Sequence, residues 1–189
     1  LSLNTIINTI NKYSDGGEGR FNSEIKTVCI IGDGYAFFSN LLRQINPSIK
    51  VISINLGKTL LFDVLYSKAC FPEINTALIR SIKDKELILK NELSFIEAEN
   101  YHLLEDLPID MFVNSASMQE MNPEVIGEYF NEIRIIAQRR EIYFYCCNRE
   151  EKRLPDGTVT RFMEYPWIKG DEIYLHEKCP WQEHQTTCP

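Results

Sequence analysis

The sequence is poor in several things that would each have fixed a class. No stretch approaches the ~18 consecutive apolar residues of a membrane-spanning helix, so no transmembrane span is expected. No CxxC pair is present among the six cysteines, and there are only three histidines. Cys179, His184 and Cys188 cluster near the end but supply too few ligands for a closed zinc site, so no metal is expected. Basic residues are in the minority, 20 Lys and Arg against 27 Asp and Glu, giving a net charge of −7. Such a surface repels phosphate backbones and argues against a nucleic-acid binder. The densest basic runs, Arg139-Arg140 and Arg149 to Arg153, read as solvated loops, the second diluted by Glu150 and Glu151. Internal repeats and low-complexity tracts are absent. The first residue is Leu1 rather than Met, from which some preceding sequence is expected, and no secretory-signal pattern follows.

What is present suits one well-packed domain. The chain has 189 residues, 44% hydrophobic and 25% charged. Cys29, Cys146 and Cys147 sit inside apolar runs where a free thiol packs as a small hydrophobe, and a reducing cytoplasm is the expected location.

Leu1 to Tyr13 reads as a short helix with Leu3, Ile6, Ile7 and Ile10 on one face, followed by a Gly-rich linker. Residues 1–25 are therefore set apart from a domain over 26–189. Strand and helix patterns then alternate. Lys26–Ile31, Lys50–Leu56, Leu93–Ala98, Asp110–Ser115 and Glu141–Cys147 read as strands. Tyr35–Gln44, Thr59–Cys70 and Glu73–Lys90 read as helices. So does a segment opened by an Asn122 cap and Pro123, with Val125, Ile126, Tyr129, Phe130, Ile133 and Ile136 on one face. Pro155-Asp156-Gly157 marks a turn between two strand-like stretches, and Glu172–His176 is expected as the last strand. This alternation predicts an α/β fold, a parallel sheet with helices on both faces and an antiparallel C-terminal edge.

The strongest chemical signal is Gly32-Asp33-Gly34-Tyr35-Ala36-Phe37, between the first strand and its helix. In such sheets ligands bind past the carboxyl ends of the strands, where this loop lies. A dinucleotide fingerprint wants a third small residue where Phe37 stands, which disfavours a nicotinamide-dependent oxidoreductase. About 20 residues further on, where an acidic side chain ordinarily takes ribose hydroxyls, stands Asn55, an amide without charge. Glu97 and Ala98 end the third strand, where a carboxylate and a backbone amide can bracket a base edge.

With these landmarks the chain resembles the sugar O-methyltransferase family of bacterial polysaccharide gene clusters. The carrying stretches are Val113–Met121 (VNSASMQEM), Phe144–Lys152 (FYCCNREEK), Glu164–Trp167 (EYPW) and Cys179–Trp181 (CPW). The resemblance covers Lys26 to the C-terminus. It implies a Rossmann-like class I methyltransferase fold with a seven-stranded sheet, S-adenosylmethionine as cofactor, and a sugar hydroxyl of a glycan or sugar nucleotide as acceptor. It implies that Gly32, Asp33 and Gly34 line the methionine and ribose end, that Asn55 meets the ribose, Glu97 and Ala98 the adenine, and Asn114 and Ser115 the sulfonium methyl. Asn55 departs from the acidic residue of the pattern.

Methyl transfer to oxygen needs alignment and a group to take the hydroxyl proton. Glu120, after the fourth strand, is the first candidate base, then His176 at the end of the expected last strand, then Glu164. Glu120 also precedes the Asn122 cap and can simply favour the positive end of that helix. Asn148 and Arg149 end the fifth strand, where an amide and a guanidinium can hold sugar hydroxyls or a phosphate. Tyr165, Trp167 and Trp181 can stack on a sugar face or pack into a core. Two readings compete: an active methyltransferase, and a non-catalytic Rossmann-like binding domain in which Asn55 has weakened cofactor binding.

Overall fold

The computed structural model describes residues 25–178 together with Asn8. The expected helix at Leu1–Tyr13, Trp181 and the Cys179, His184 and Cys188 cluster lie outside the described residues. Six strands form the sheet: β1 (Thr27–Ile31), β2 (Lys50–Asn55), β3 (Thr76–Ile79), β4 (Leu93–Glu97), β5 (Met111–Ser115) and β6 (Tyr143–Cys147). Their order is β3-β4-β2-β1-β5-β6, and every neighbouring pair is parallel. The helices are α1 (Phe37–Ile45), α2 (Gly57–Cys70), the single turn α3 (Lys85–Ile88) and α4 (Pro123–Ala137). The fold is α/β and Rossmann-like, with the order reversing between β1 and β5.

The central strands are buried on both faces, which their β-branched runs require. Val28 and Ile30 of β1 pack with Leu42 of α1 and Leu60 of α2. Cys29 and Ile31 point the other way, into a core closed by Ile126, Tyr129, Phe130, Ile133 and Ile136 of α4. Val125 stays exposed, and Asn122 takes the N-cap position without a side-chain bond to the helix. At the amino ends, the Asp110 carboxylate accepts the Lys26 and Thr27 amides at 2.9 and 2.8 Å and is paired with Arg140, tying β5 to β1.

Three expectations are corrected. The segment Glu73–Lys90 is helical only in its second half: Thr76–Ile79 is an added edge strand, with Ala77 and Ile79 buried and Leu78 exposed, the period-two pattern of a strand. The sheet has six strands rather than seven. The expected antiparallel pair forms, as β7 (Glu151–Arg153) and β8 (Val159–Arg161), in a two-stranded sheet of its own. Glu172–His176 is not a strand; its residues are exposed and pair with no neighbour in a ladder. The short strands of the β7–β8 hairpin spend their bonds on each other, and the chain beyond turns back along α4. There Trp167 packs edge-on against Phe130 at 4.8 Å, and Arg134 donates to the Pro166 carbonyl at 2.6 Å. No helix among the described residues is long and apolar enough to cross a membrane.

Candidate functional site

The loop after β1 is built from left-handed residues: Gly32 at φ +73°, Gly34 at +71° and Ala36 at +55°. The Gly32 amide donates to the Ile54 carbonyl at 2.8 Å, anchoring the loop to β2. A Cβ on Gly32 would stand 2.3 Å from Ser117 Oγ, so the tip of β5 presses directly on this glycine. At Gly34 a Cβ would meet nothing within 4 Å. The first glycine serves packing, and the second leaves backbone open to a ligand.

The Asp33 side chain turns into the protein. Its oxygens accept the Phe38 and Ser39 amides, each at 2.8 Å, and the Ser39 hydroxyl, satisfying the open first turn of α1. Burial pushes its carboxyl up to about 6, against the pull of the Ser39 and Phe38 bonds. Asp33 therefore shapes the loop. Phe37 is 63% exposed, and it is Ala36 that lies buried against the sheet.

Asn55 ends β2. Its Nδ2 donates to the Gly34 carbonyl at 3.0 Å and to Asp63 Oδ2 at 3.2 Å, and its Oδ1 accepts the Leu56 amide at 3.0 Å. Glu97 ends β4 in register with Asn55. A Cβ on Gly57 would stand 2.3 Å from Glu97 Oε1, so this carboxylate rests on the first turn of α2, where the helix dipole favours negative charge. Ala98, half-buried, opens a 3₁₀ segment, Ala98–Leu104. The structure thus brings Gly34, Asn55 and Glu97 together at three adjacent strand ends. Beside them Gly34, Tyr35, Phe37, Phe62, Leu65 and Tyr66 border an open groove of about 710 Å³, with Tyr35 and Phe62 edge to face at 5.5 Å.

A second polar group joins the tips of β5 and β6. Asn114 is fully buried; its Nδ2 donates to the Ile31 carbonyl at 2.8 Å, and its Oδ1 accepts from Asn148 Nδ2 at 2.8 Å. Ser117 Oγ donates to the same Ile31 carbonyl at 2.7 Å. Asn148 Oδ1 accepts the Gln119 amide at 3.1 Å, and Gln119 Oε1 accepts the Arg149 amide at 2.8 Å. Asn114 and Asn148 are thereby committed to each other. Ser115, at the end of β5, is half-buried, and Arg149 is exposed.

The three candidate bases do not converge. Glu120 closes the 3₁₀ turn Met118–Glu120, just beyond Ser117, and pairs with Lys152 at 3.0 Å. Glu164, in the 3₁₀ turn after β8, pairs with Arg161 at 3.3 Å. His176 is exposed in the segment after the hairpin and ends no strand. Tyr165 and Trp167 belong to an aromatic cluster with Phe130, Phe144 and Phe162, and the Trp167 indole donates to the Phe162 carbonyl at 2.9 Å. They are packing groups. Among the described residues no three His, Cys, Asp or Glu side chains are grouped to hold a metal.

Sequence reasoning missed Asp63, Ser117 and Gln119. Asp63 left no sequence signal, and only the structure shows Leu60, Asp63 and Ser67 buried on one helical face while Leu61, Phe62 and Leu65 are exposed. No protein-family model and no curated protein matches this chain. Among solved structures it is similar to the S-adenosylmethionine-dependent methyltransferase SibL in its apo form, at 13% identity and a TM-score of 0.42. The match covers 74% of this chain, which spans about a third of that structure's length.

Proposed function

We propose that this chain is an S-adenosylmethionine-dependent O-methyltransferase domain whose acceptor is a sugar hydroxyl of a glycan or sugar nucleotide. The observation that carries the reading is the meeting of Gly34, Asn55 and Glu97 at the carboxyl ends of β1, β2 and β4, beside the point where strand order reverses. The residues present fit a nucleoside. Gly34 leaves open backbone, Asn55 Oδ1 retains acceptor capacity for a hydroxyl, Glu97 offers an acceptor to an exocyclic amine, and the groove supplies aromatic surface. No pyrophosphate-sized approach to the helix is needed for such a ligand. The sugar acceptor rests on the stretches Val113–Met121 and Phe144–Lys152.

In that reading Gly32–Gly34 hold the amino-acid and ribose end, Asn55 the ribose, and Glu97 with Ala98 the base. Asn114 and Asn148 act through each other to fix the β5 and β6 tips, with Ser115 and Arg149 at the edge where an acceptor would enter. The sulfonium cofactor supplies a methyl group already activated for in-line displacement. The chain's part is to align the acceptor and take its proton, and Glu120 is the nearest candidate for the proton. Its ion pair with Lys152 is half-exposed and worth ~1 kcal/mol or less, so the carboxylate is free to leave it for an acceptor hydroxyl.

A second reading, a non-catalytic Rossmann-like binding domain, is favoured by the pairing of Glu120 and Glu164 with cations and by the uncharged Asn55. Calorimetric titration with S-adenosylhomocysteine, with NAD as control, separates the readings. Micromolar binding of S-adenosylhomocysteine alone is expected. Binding of neither ligand overturns the enzyme in favour of the binding domain, and binding of NAD alone points to an oxidoreductase.

A further inference from the structure

We infer that Asp63 is a positioning residue for the candidate ribose site: from inside α2 its carboxylate locks the Asn55 amide so that the oxygen of Asn55 is left to accept a ligand hydroxyl. The inference rests on the reading of Asn55 as the ribose contact. Both Nδ2 hydrogens of Asn55 are taken, one by the Gly34 carbonyl at 3.0 Å and one by Asp63 Oδ2 at 3.2 Å. Among the described residues Oδ1 receives only the Leu56 amide, at 3.0 Å. A flipped amide would set its oxygen against two other oxygens and its NH₂ against the Leu56 N–H, so a single orientation survives. The Gly34 carbonyl alone would hold one hydrogen; Asp63 holds the second.

The burial of Asp63 is hard to explain by packing. Its residue is fully buried, and its Oδ1 has no hydrogen-bond partner among the described residues. Among the described residues no cation pairs with it, and the charged group that acts on it is another carboxylate, Asp33. A buried carboxylate without a cation opposes folding, and an apolar side chain at this position of α2 would suit the core better. Burial pushes its carboxyl up to about 7, while the Asn55 bond pulls it down. A proton arriving there has the unpartnered Oδ1 to occupy, so Oδ2 accepts from Asn55 in both states. When ionised, Asp63 also polarises the amide, strengthening Oδ1 as an acceptor. The acidic side chain absent from the end of β2 is thus present eight residues later, acting through an amide.

The test begins without a ligand. In the nitrogen-resolved NMR spectrum of the full chain, the Asn55 side-chain amide should exchange with solvent about tenfold more slowly than that of exposed Asn131. Equal rates overturn the inference in the wild-type protein, whatever the variants do. Asp63→Asn, whose own carboxamide oxygen can take the same hydrogen, should keep the slow exchange. Asp63→Leu and Asp63→Ala should lose it. S-adenosylhomocysteine should then bind the Asn variant within about threefold of wild type and the Leu and Ala variants about tenfold more weakly. Equal binding by all four proteins overturns the positioning role. If the amide responds as expected but wild type binds no S-adenosylhomocysteine, the locking of Asn55 stands and the methyltransferase reading falls.

Discussion

A methyl group added at Gly32 and one added at Gly34 meet different surroundings although the two backbones are alike. Both residues sit near φ +70°, where an L side chain costs ~1–2 kcal/mol. At Gly34 that strain is the whole cost, because nothing lies within 4 Å. At Gly32 the new Cβ would also fall 2.4 Å from Ser117 Cβ, which belongs to the tip of β5 and is held by its bond to Ile31. Overpacking of that kind adds ~1–3 kcal/mol. Gly32→Ala is therefore expected to lower the urea midpoint by about twice as much as Gly34→Ala or more. Conversely, Gly34→Ala should weaken nucleoside binding more than its small stability loss suggests. Equal midpoints for the two variants would mean that the loop relaxes away from Ser117. The glycine pair was visible in the sequence as a strand–turn–helix motif. Which glycine faces protein and which faces open space was not, because Ser117 lies 85 positions away, in the turn after β5.

Helix α2 carries its polar residues inward and much of its apolar surface outward. Leu60, Asp63 and Ser67 are buried, and Ser67 Oγ accepts from Asn40 of α1 at 2.9 Å, while Leu61, Phe62 and Leu65 are more than half exposed. The alternation of strands and helices was legible, since each β1, β2, β4, β5 and β6 pattern needs only local runs of β-branched and aromatic residues. The orientation of α2 was not, because apolar residues surround the helix and leave no stripe to read. Strand β3 was hidden for a related reason: four residues between Asn75 and Arg80 are too short for a period to declare itself inside a polar stretch. The inward carboxylate gives α2 a pH signature. An unfolded Asp titrates near 3.8 and the folded Asp63 near 7, so the folded state binds the extra proton between those values. Stability from this group is present below the unfolded value and falls as pH rises through the folded one. Asp63→Asn should thus match wild type near pH 4 and exceed it at pH 8. A gain of at least ~1 kcal/mol is expected, one unit of carboxyl shift being worth ~1.4 kcal/mol. Thermal melts at the two pH values check this; a loss of stability at pH 8 would show that the ionised carboxylate is compensated by a partner.

At the scale of the whole molecule, the hairpin is tied to the parallel sheet by a run of polar groups, beside the packing of Phe162 and Tyr165 against the core. The parallel sheet could be anticipated from the alternation of strands and helices, but its strand order is not set by that alternation. The place of the hairpin could not be anticipated, because β7 and β8 pair only with each other and their attachment is side-chain chemistry. That attachment runs from Asn114 to Asn148, from Asn148 to the Gln119 amide, and from Gln119 both to the Arg149 amide and, through its carbonyl, to the Thr160 hydroxyl at 3.2 Å. Lys152 of β7 adds its pair with Glu120. The cores on the two faces of the sheet are built mainly from strand residues and from α1, α2 and α4. Asn148→Ala removes the middle link and leaves the Gln119 amide without its acceptor. The hairpin should then open as a unit of its own. Its amides at Leu154 and Phe162, bonded to Thr158 and Glu150 at 2.7 and 3.0 Å, should exchange about tenfold faster or more, while those of β1, β2 and β5 keep their protection. Should sheet and hairpin amides accelerate together, the amide chain would be part of the global fold rather than a hinge. The candidate base Glu120 and the entry edge at Arg149 would then be as rigid as the strands beneath them. If the hairpin alone responds, Arg149 and Lys152, the ion-pair partner of Glu120, ride on a part of the molecule that can move against the loop after β1, while Glu120 stays with the turn before α4.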